Sequence, residues 1–188
     1  MQDVELFTPG GNFDFLLASA NSIAYFNKNK CIDKWQPTSN GLKQILFDPM
    51  RSRFLLLFDD RLQSYSPGKK AATVFKSNNL NCMELTENNT ILIIGTQDGC
   101  FELDAASFEQ RSALQKKLPC TDIRCIRQIG ESVWFGTSRG ALCRGHLARD
   151  SRAGRPRHVV SLVASGPCRK PVGVVWLRLF RGLYVKRL

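Results

Sequence analysis

Thr90-Ile91-Leu92-Ile93-Ile94-Gly95-Thr96-Gln97-Asp98-Gly99-Cys100-Phe101-Glu102-Leu103 is the stretch that decides the fold. Thr90 to Ile94 is a continuous β-branched and apolar run of strand length, the mark of a strand covered on both faces. Gln97-Asp98-Gly99 supplies a hairpin turn, where Gly takes positive φ at little cost. Cys100 to Leu103 then alternates apolar and polar as a further strand. Upstream, Leu80 to Leu85 suits a half-buried strand, and Glu87-Asn88-Asn89 turns the chain into the central run. Downstream, a polar stretch leads to Ala113-Leu114, the place for a weaker fourth strand on the sheet edge.

The same succession recurs along the chain. Leu6-Phe7-Thr8-Pro9 returns 40 residues later as Leu46-Phe47-Asp48-Pro49, and the pair Leu16-Leu17 returns as Leu56-Leu57. Looser copies at Ile93-Ile94-Gly95-Thr96 and Trp134-Phe135-Gly136-Thr137 make the steps from Leu17 to Leu57 to Ile94 to Phe135 40, 37 and 41 residues. The first copy holds strands at Val4 to Phe7, Phe13 to Leu17, Ile23 to Phe26 and Ile32 to Trp35. The second holds Leu42 to Ile45, Phe54 to Leu57 and Leu62 to Tyr65, and the fourth Ile123 to Ile126, Ser132 to Phe135 and Ala141 to Cys143. Short strands at roughly ten-residue spacing, with Gly, Asn, Asp or Pro between them, exclude a helical solenoid, which needs apolar residues at i, i+3 and i+4.

The repeated unit of apolar pair, Gly-Thr, polar turn ending in Gly and a further strand (Ile93 to Gly99, then Val133 to Gly140) resembles a blade of a WD-repeat-like β-propeller. It is also similar to blades of the two-component-regulator type of propeller. The likeness covers residues 1 to about 148, without the Gly-His and Trp-Asp dipeptides of a full WD repeat: the third strands end in Phe26-Asn27, Tyr65-Ser66, Leu103-Asp104 and Arg144-Gly145. The resemblance implies an all-β fold, a β-propeller of four-stranded antiparallel blades. About three and a half to four blades fit residues 1–149, near 1–38, 39–78, 79–119 and 120–149, and a basic non-repeat tail follows at 150–188. Propellers of this kind run from about four to eight blades, and a ring protects its edges only when first and last blades meet. Part of a larger ring is therefore expected, with a closed four-bladed ring as the alternative. An open arc exposes blade faces meant for neighbours, so self-association or a partner is expected as well.

A chain of 188 residues with 43% hydrophobic content can bury one sizeable core. The net charge of +11 is unevenly placed: residues 1–150 carry +2, while residues 151–188 carry nine Lys and Arg and no acid. Ser151 to Arg157 and Gly166 to Pro171 are linker-like basic runs, so the tail reads as disordered, as an alternative coding end or as a basic extension. Read as a helix, its end places Trp176, Leu179, Phe180 and Leu183 on one face, with Arg178, Arg181, Lys186 and Arg187 as candidate membrane or anion contacts. Gly182 and the Val-rich flanks weaken that helix. Aromatic and basic residues do not alternate over a sheet there, which disfavours nucleic acid as a ligand.

No nucleophile motif, phosphate-cradling loop or metal cluster is readable, so no catalytic, cofactor or metal residue is assigned and the chain is not expected to be an enzyme. Of the carboxylates Asp59, Asp60, Asp98 and Asp104, the first three fall in hairpin turns, where backbone geometry explains them. The seven cysteines are odd in number and none has zinc-knuckle spacing; they read as small buried residues in a reducing compartment. His146 and His158 have no ligand-forming neighbours, and Asn88-Asn89-Thr90 is read as a polar turn rather than a glycosylation site. Acidic residues in Met1 to Glu5 and the lack of a run of roughly 18 apolar residues give no secretory signal or span, so the cytoplasm is expected. Trp134, flanked by Val133 and Phe135, is expected in the core.

Loops on the two faces of a propeller are where partners bind. Trp35 and Tyr65 are candidate anchors, with Lys69, Lys70, Lys116 and Lys117 in the connectors after the third strands. The resemblance implies a non-catalytic protein–protein interaction scaffold, a subunit or fragment of a multi-protein assembly such as a trafficking or ubiquitin-ligase complex. The alternative class is membrane-surface or nucleic-acid binding through residues 151–188. The two differ in salt dependence. Binding to anionic vesicles or nucleic acid through the tail should vanish on deletion of residues 151–188 and weaken steeply between low and physiological salt in co-sedimentation, whereas a scaffold contact should survive both changes.

Overall fold

In the computed structural model, residues 6–11, 14–19, 21–37, 41–113, 121–130, 132–138, 142–149, 158–163, 177–179 and 182–184 are described, with side chains through Arg111 and between Thr121 and Ser138. The first sheet consists of β1 (Leu6–Pro9), β2 (Asp14–Ser19), β3 (Ser22–Asn27) and β4 (Lys30–Trp35). The second consists of β5 (Gln44–Asp48), β6 (Arg53–Leu57), β7 (Arg61–Tyr65) and β8 (Ala72–Lys76). The third has β9 (Leu80–Leu85), β10 (Ile91–Thr96), β11 (Gly99–Asp104) and β12 (Gln110–Ala113). The fourth has β13 (Ile123–Ile129), β14 (Ser132–Thr137), β15 (Leu142–Arg149) and β16 (His158–Val163), the last from beyond Asp150. All four are antiparallel meanders, and no helix occurs among the described residues. β17 (Leu177–Leu179) and β18 (Gly182–Tyr184) pair as a short hairpin where the sequence also admits an amphipathic helix, in keeping with Gly182 and the Val-rich flank.

The first strands stand side by side in the order β1, β5, β9, β13, and among the described residues no comparable contact joins β13 back to β1. The sheets are therefore blades in an open arc. Three apolar layers fill the junctions. Leu16, Ala18, Ile23 and Tyr25 of the first blade meet Ile45, Phe54, Leu56 and Tyr65 of the second. Leu55, Leu57 and Leu62 leave the other face of the second blade to meet Met83, Leu92, Ile94 and Leu103. Ile91, Ile93, Cys82 and Cys100 meet Ile123, Ile126, Val133 and Phe135. Side chains alternate between faces along a strand, so each second strand must be apolar at consecutive positions, as the fully buried β10 is.

This alternation corrects the repeat register. Leu16 points toward the following blade, whereas Leu56 points toward the preceding one. The structural counterparts are Leu17, Leu56, Ile94 and Phe135, which makes the steps 39, 38 and 41 residues. A one-residue slip exchanges the two faces of a strand, so identical Leu-Leu pairs cannot be aligned by identity alone. The same rule moves Trp134: with Val133 and Phe135 buried against the third blade, Trp134 lies half-buried on the opposite face and outside that core layer.

The repeated Gly-Thr has two separate causes. A Cβ on Gly95 would lie 2.7 Å from Cys82 Sγ and 2.6 Å from Ile123 Cγ2, and one on Gly136 would meet Cys125 Sγ. Cys82 is the cross-strand partner of Gly95, and Cys125 that of Gly136, so in each case the glycine makes room for a thiol on the first strand. Thr96 Oγ1 then closes the turn, donating to Gly99 O at 3.1 Å and accepting from Asp98 N at 3.0 Å.

Polar side chains lock neighbouring first strands. Thr8 Oγ1 donates to Ile45 O (3.1 Å), Gln44 exchanges two bonds with the Met83 backbone (2.9 and 2.8 Å), and Asn81 Nδ2 donates to Ile123 O (3.0 Å). The strongest lock surrounds Asp48, which the turn pattern presents as a simple Asp-Pro turn but which is fully buried. Arg53 Nε lies 3.0 Å and Arg51 Nη1 3.2 Å from Asp48 Oδ2. Both arginines continue into the third blade: Arg51 donates to Asn89 O at 2.9 Å, while Arg53 donates to Ala105 O and lies 4.3 Å over the Phe108 ring. Removing the carboxylate leaves two cations facing each other in a poorly hydrated site. Asp48→Ala is expected to destabilise the chain by roughly 3–5 kcal/mol in urea unfolding, and exchanging Arg51 and Arg53 for Met in the same chain should recover part of that loss.

Candidate functional site

The first junction opens, away from the central strands, into a cleft of about 330 Å³ lined by Asp33, Trp35, Gln36, Pro37, Gln63, Tyr65, Lys70 and Ala71. Its two walls follow from strand alternation. Trp35 lies opposite Ile23 and Asp33 opposite Tyr25, both core residues of this junction, so β4 directs Asp33 and Trp35 toward the second blade. Gln63 pairs with Leu56 and Tyr65 with Phe54, which turns both toward the first blade.

Tyr65 is the centre of an aromatic cluster. Its ring lies 4.5 Å from Trp35 at 33°, 5.8 Å edge-on from Tyr25 and 6.5 Å from Phe54. Its hydroxyl donates to Asp33 Oδ2 at 3.2 Å. Burial, and then the nearby Asp33 carboxylate, push the phenol well above its ordinary value, so it stays a neutral donor. Trp35 and Ala71 pack on the rim of the same core, and Lys70 is exposed at the mouth. The cleft thus combines an aromatic wall, one carboxylate, two amides and one free-standing ammonium. Such a set suits a short polypeptide segment: apolar contact supplies affinity and the polar groups set orientation.

Of the candidate contacts in the sequence, Trp35, Tyr65 and Lys70 come together here. Lys69 is adjacent in an exposed turn, its amide donating to Ser66 O at 3.0 Å, and does not line the cleft. Lys116 and Lys117 lie outside the described residues, as do Arg181, Lys186 and Arg187; Arg178 falls in β17, where only the backbone is described. Asp33 and Gln63 are cleft residues without any local signal in the sequence, since each is an ordinary polar position of an alternating strand. Of the turn carboxylates, Asp59 pairs with Lys43 (2.6 Å), and Asp60 with Arg61 (3.6 Å). Asp104 accepts from the amides of Ser107 and Ala106, and with Arg111 beside it its carboxyl is held down at about 2. Among the described residues no group of three His, Cys, Asp or Glu is placed to hold a metal ion. Cys82 and Cys100 are buried, as expected, and burial pushes their thiols up to about 12. Cys31 and Cys125 are exposed instead.

Tyr65→Phe keeps the ring packing and removes only the bond to Asp33, so it should cost roughly 0.5–1.5 kcal/mol in chemical unfolding; a loss several times larger would show that the phenol holds more than this one partner.

No protein-family model matches the sequence, and no curated protein matches it. Solved folds do. The β-propeller domain of Cps50 (Swd1) from Myceliophteria thermophila superposes with a TM-score of 0.63 at 13% identity, over 85% of this chain and 58% of that one. The WD40 β-propeller domain of Doa1 gives 0.61 at 14% identity, over 76% of this chain and 50% of that one. The chain thus spans 58% and 50% of these two propeller chains, and the likeness is one of fold. Four antiparallel four-stranded blades in an open arc are part of a WD-repeat-like β-propeller.

Proposed function

We propose that the chain is a non-catalytic platform for protein–protein contacts within a multi-protein assembly, and that it takes a short partner segment in the cleft between β4 and β7. The observation that carries this reading is the convergence of Trp35, Tyr65, Asp33 and Lys70 on about 330 Å³ at a blade junction. That volume is at the lower end of binding pockets, the scale of two or three side chains. Trp dominates the energetics of interfaces because it offers large, rigid contact area at small entropic cost, and here Trp35 supplies that area while Tyr65, 1% exposed, backs it from within the core. Lys70 at the mouth attracts a partner carboxylate, while the Asp33 carboxylate, tied to Tyr65, keeps an oxygen for a partner N–H.

A random peptide library displayed on phage tests the reading directly. Selection on the intact chain should enrich peptides with an apolar residue next to an acid. Trp35→Ala should weaken their binding by about 30-fold or more, the scale of a hot-spot truncation near 2 kcal/mol, and Lys70→Glu should remove the preference for the acid. Peptides that bind Trp35→Ala as well as the original chain would sink the assignment to this cleft.

A further inference from the structure

Each sheet is an antiparallel meander and the first strands run side by side, so the turns after the first and third strands of every blade share one face. Contacts between blades follow from this. Arg51, in the β5–β6 turn, reaches Asn89 O in the β9–β10 turn, and Arg53 reaches Ala105 O in the connector after β11.

Charge is unevenly divided over that face. The β3–β4 turn of the first blade is Lys28-Asn29, followed by Lys30, and the β7–β8 connector of the second contains Pro67-Gly68-Lys69-Lys70; neither holds an acid. The third blade has Glu87 in its β9–β10 turn, with Asp104 and Glu109 around its β11–β12 connector. Backbone geometry lifts the lysines outward. Lys28 and Asn29 both have positive φ (46° and 64°), as a two-residue hairpin of the primed type requires. Gly68 at φ 77°, after Pro67, and the 3.0 Å bond from Lys69 N to Ser66 O make a type II turn. Lys28, Lys30, Lys69 and Lys70 are exposed, and among the described residues none of them pairs with an acid. Arg51, on the same face, is instead held by Asp48.

These lysines bracket the cleft. Lys69 and Lys70 follow Tyr65 on the second-blade wall, and Lys30 opens β4, three residues and about 10 Å along the strand from Asp33 on the first-blade wall.

We propose that the segment bound in the cleft is acidic, an extended peptide with carboxylates on both sides of one apolar residue. The apolar side chain packs on Trp35, one group of carboxylates faces Lys69 and Lys70, and the other faces Lys28 and Lys30. This rests on the reading of the cleft as a peptide site. The carboxylate of Asp33 inside the cleft repels acids from its interior and leaves them to the two basic rims. The acids of the third blade confine the track to the first two. A peptide is favoured over nucleic acid because Trp35 is the one cleft aromatic within reach, Tyr65 being buried behind it, whereas a single strand stacks successive bases on successive rings.

Fluorescence anisotropy on the full chain tests this with short synthetic peptides that carry Glu pairs on both sides of a central Leu, with versions bearing Gln on one side or on both, and Lys on both. The doubly acidic peptide should bind most tightly and weaken as salt rises. The pair Lys28→Glu and Lys30→Glu, and separately the pair Lys69→Glu and Lys70→Glu, should each weaken it by roughly tenfold, the scale of two exposed ion pairs at up to about fivefold each. Each half-neutral peptide should be insensitive to one of the two reversals and sensitive to the other. The basic residues of 151–188 are common to every variant, so differences between variants report the cleft face; circular dichroism checks the fold. Peptide binding that depends on Trp35 but on neither lysine pair overturns this inference and leaves the cleft reading standing. Binding indifferent to Trp35→Ala removes both. The inference also fails if the Lys peptide binds as well as the Glu peptide, or if a DNA oligonucleotide or anionic phosphatidylserine vesicles compete for the same lysines more tightly than the acidic peptide.

Discussion

A sheet covered on both faces has no solvent side, and the rest of this structure depends on that constraint. β6 and β10 carry apolar residues at consecutive positions because alternate side chains serve two different junctions. Each fully buried Leu or Ile contributes roughly 1.5–3 kcal/mol, and a single-residue slip would exchange the two sets. The pairing register is thereby fixed twice, once from each side. Blade position follows, since a blade is set where both of its layers are filled.

Apolar layers fix distance, and the polar links fix angle. Gln44 holds the Met83 backbone through both ends of its amide, much as a strand partner would, although β5 and β9 belong to different sheets. Asp48 cannot remain buried as a carboxylate without its arginines, and those arginines satisfy carbonyls of the third blade that no sheet partner reaches. Gly95 sets the closest approach of the third and fourth blades, because any side chain there would displace Cys82 or Ile123. The cleft exists where such links stop: Thr8 ties β1 to β5 near the centre, while β4 and β7 farther out are bridged by Tyr65 and Asp33.

Local chemistry made the blades legible. The run Ile91 to Ile94, the turn Gln97-Asp98-Gly99 and the alternation of Cys100 to Leu103 specify three strands without reference to anything distant. β8 was harder to see, since Ala72 to Lys76 is a largely exposed outer strand without strict alternation, preceded by the turn Ser66-Pro67-Gly68. Which face a residue serves was not legible at all. Leu16-Leu17 and Leu56-Leu57 are identical pairs in opposite roles, and Trp134 sits between two core residues without joining them. Asp48 resembles any Asp-Pro turn until Arg51 and Arg53 are placed beside it. Trp35 and Tyr65 could be named as candidates for their size, yet their 4.5 Å approach depends on the angle between two blades, which no local pattern encodes.

The first blade is where these considerations meet. Its inner face is filled by Leu16, Ala18, Ile23 and Tyr25, while Phe7, Phe15 and Phe26 occupy the other, where Phe7 is 59% exposed, so among the described residues it is held from one side. The same sheet carries Asp33 and Trp35, one whole wall of the cleft. Occupation of the outer face restricts the sheet, and a segment bound in the cleft restricts it from the inner face. Two ligands that favour the same arrangement of one blade strengthen each other by equal factors, because the coupling is a property of the shared state and not of either ligand. The exposed phenylalanines and the aromatic cleft are thus the two faces of one sheet, and what covers the first bears on how firmly the second can hold.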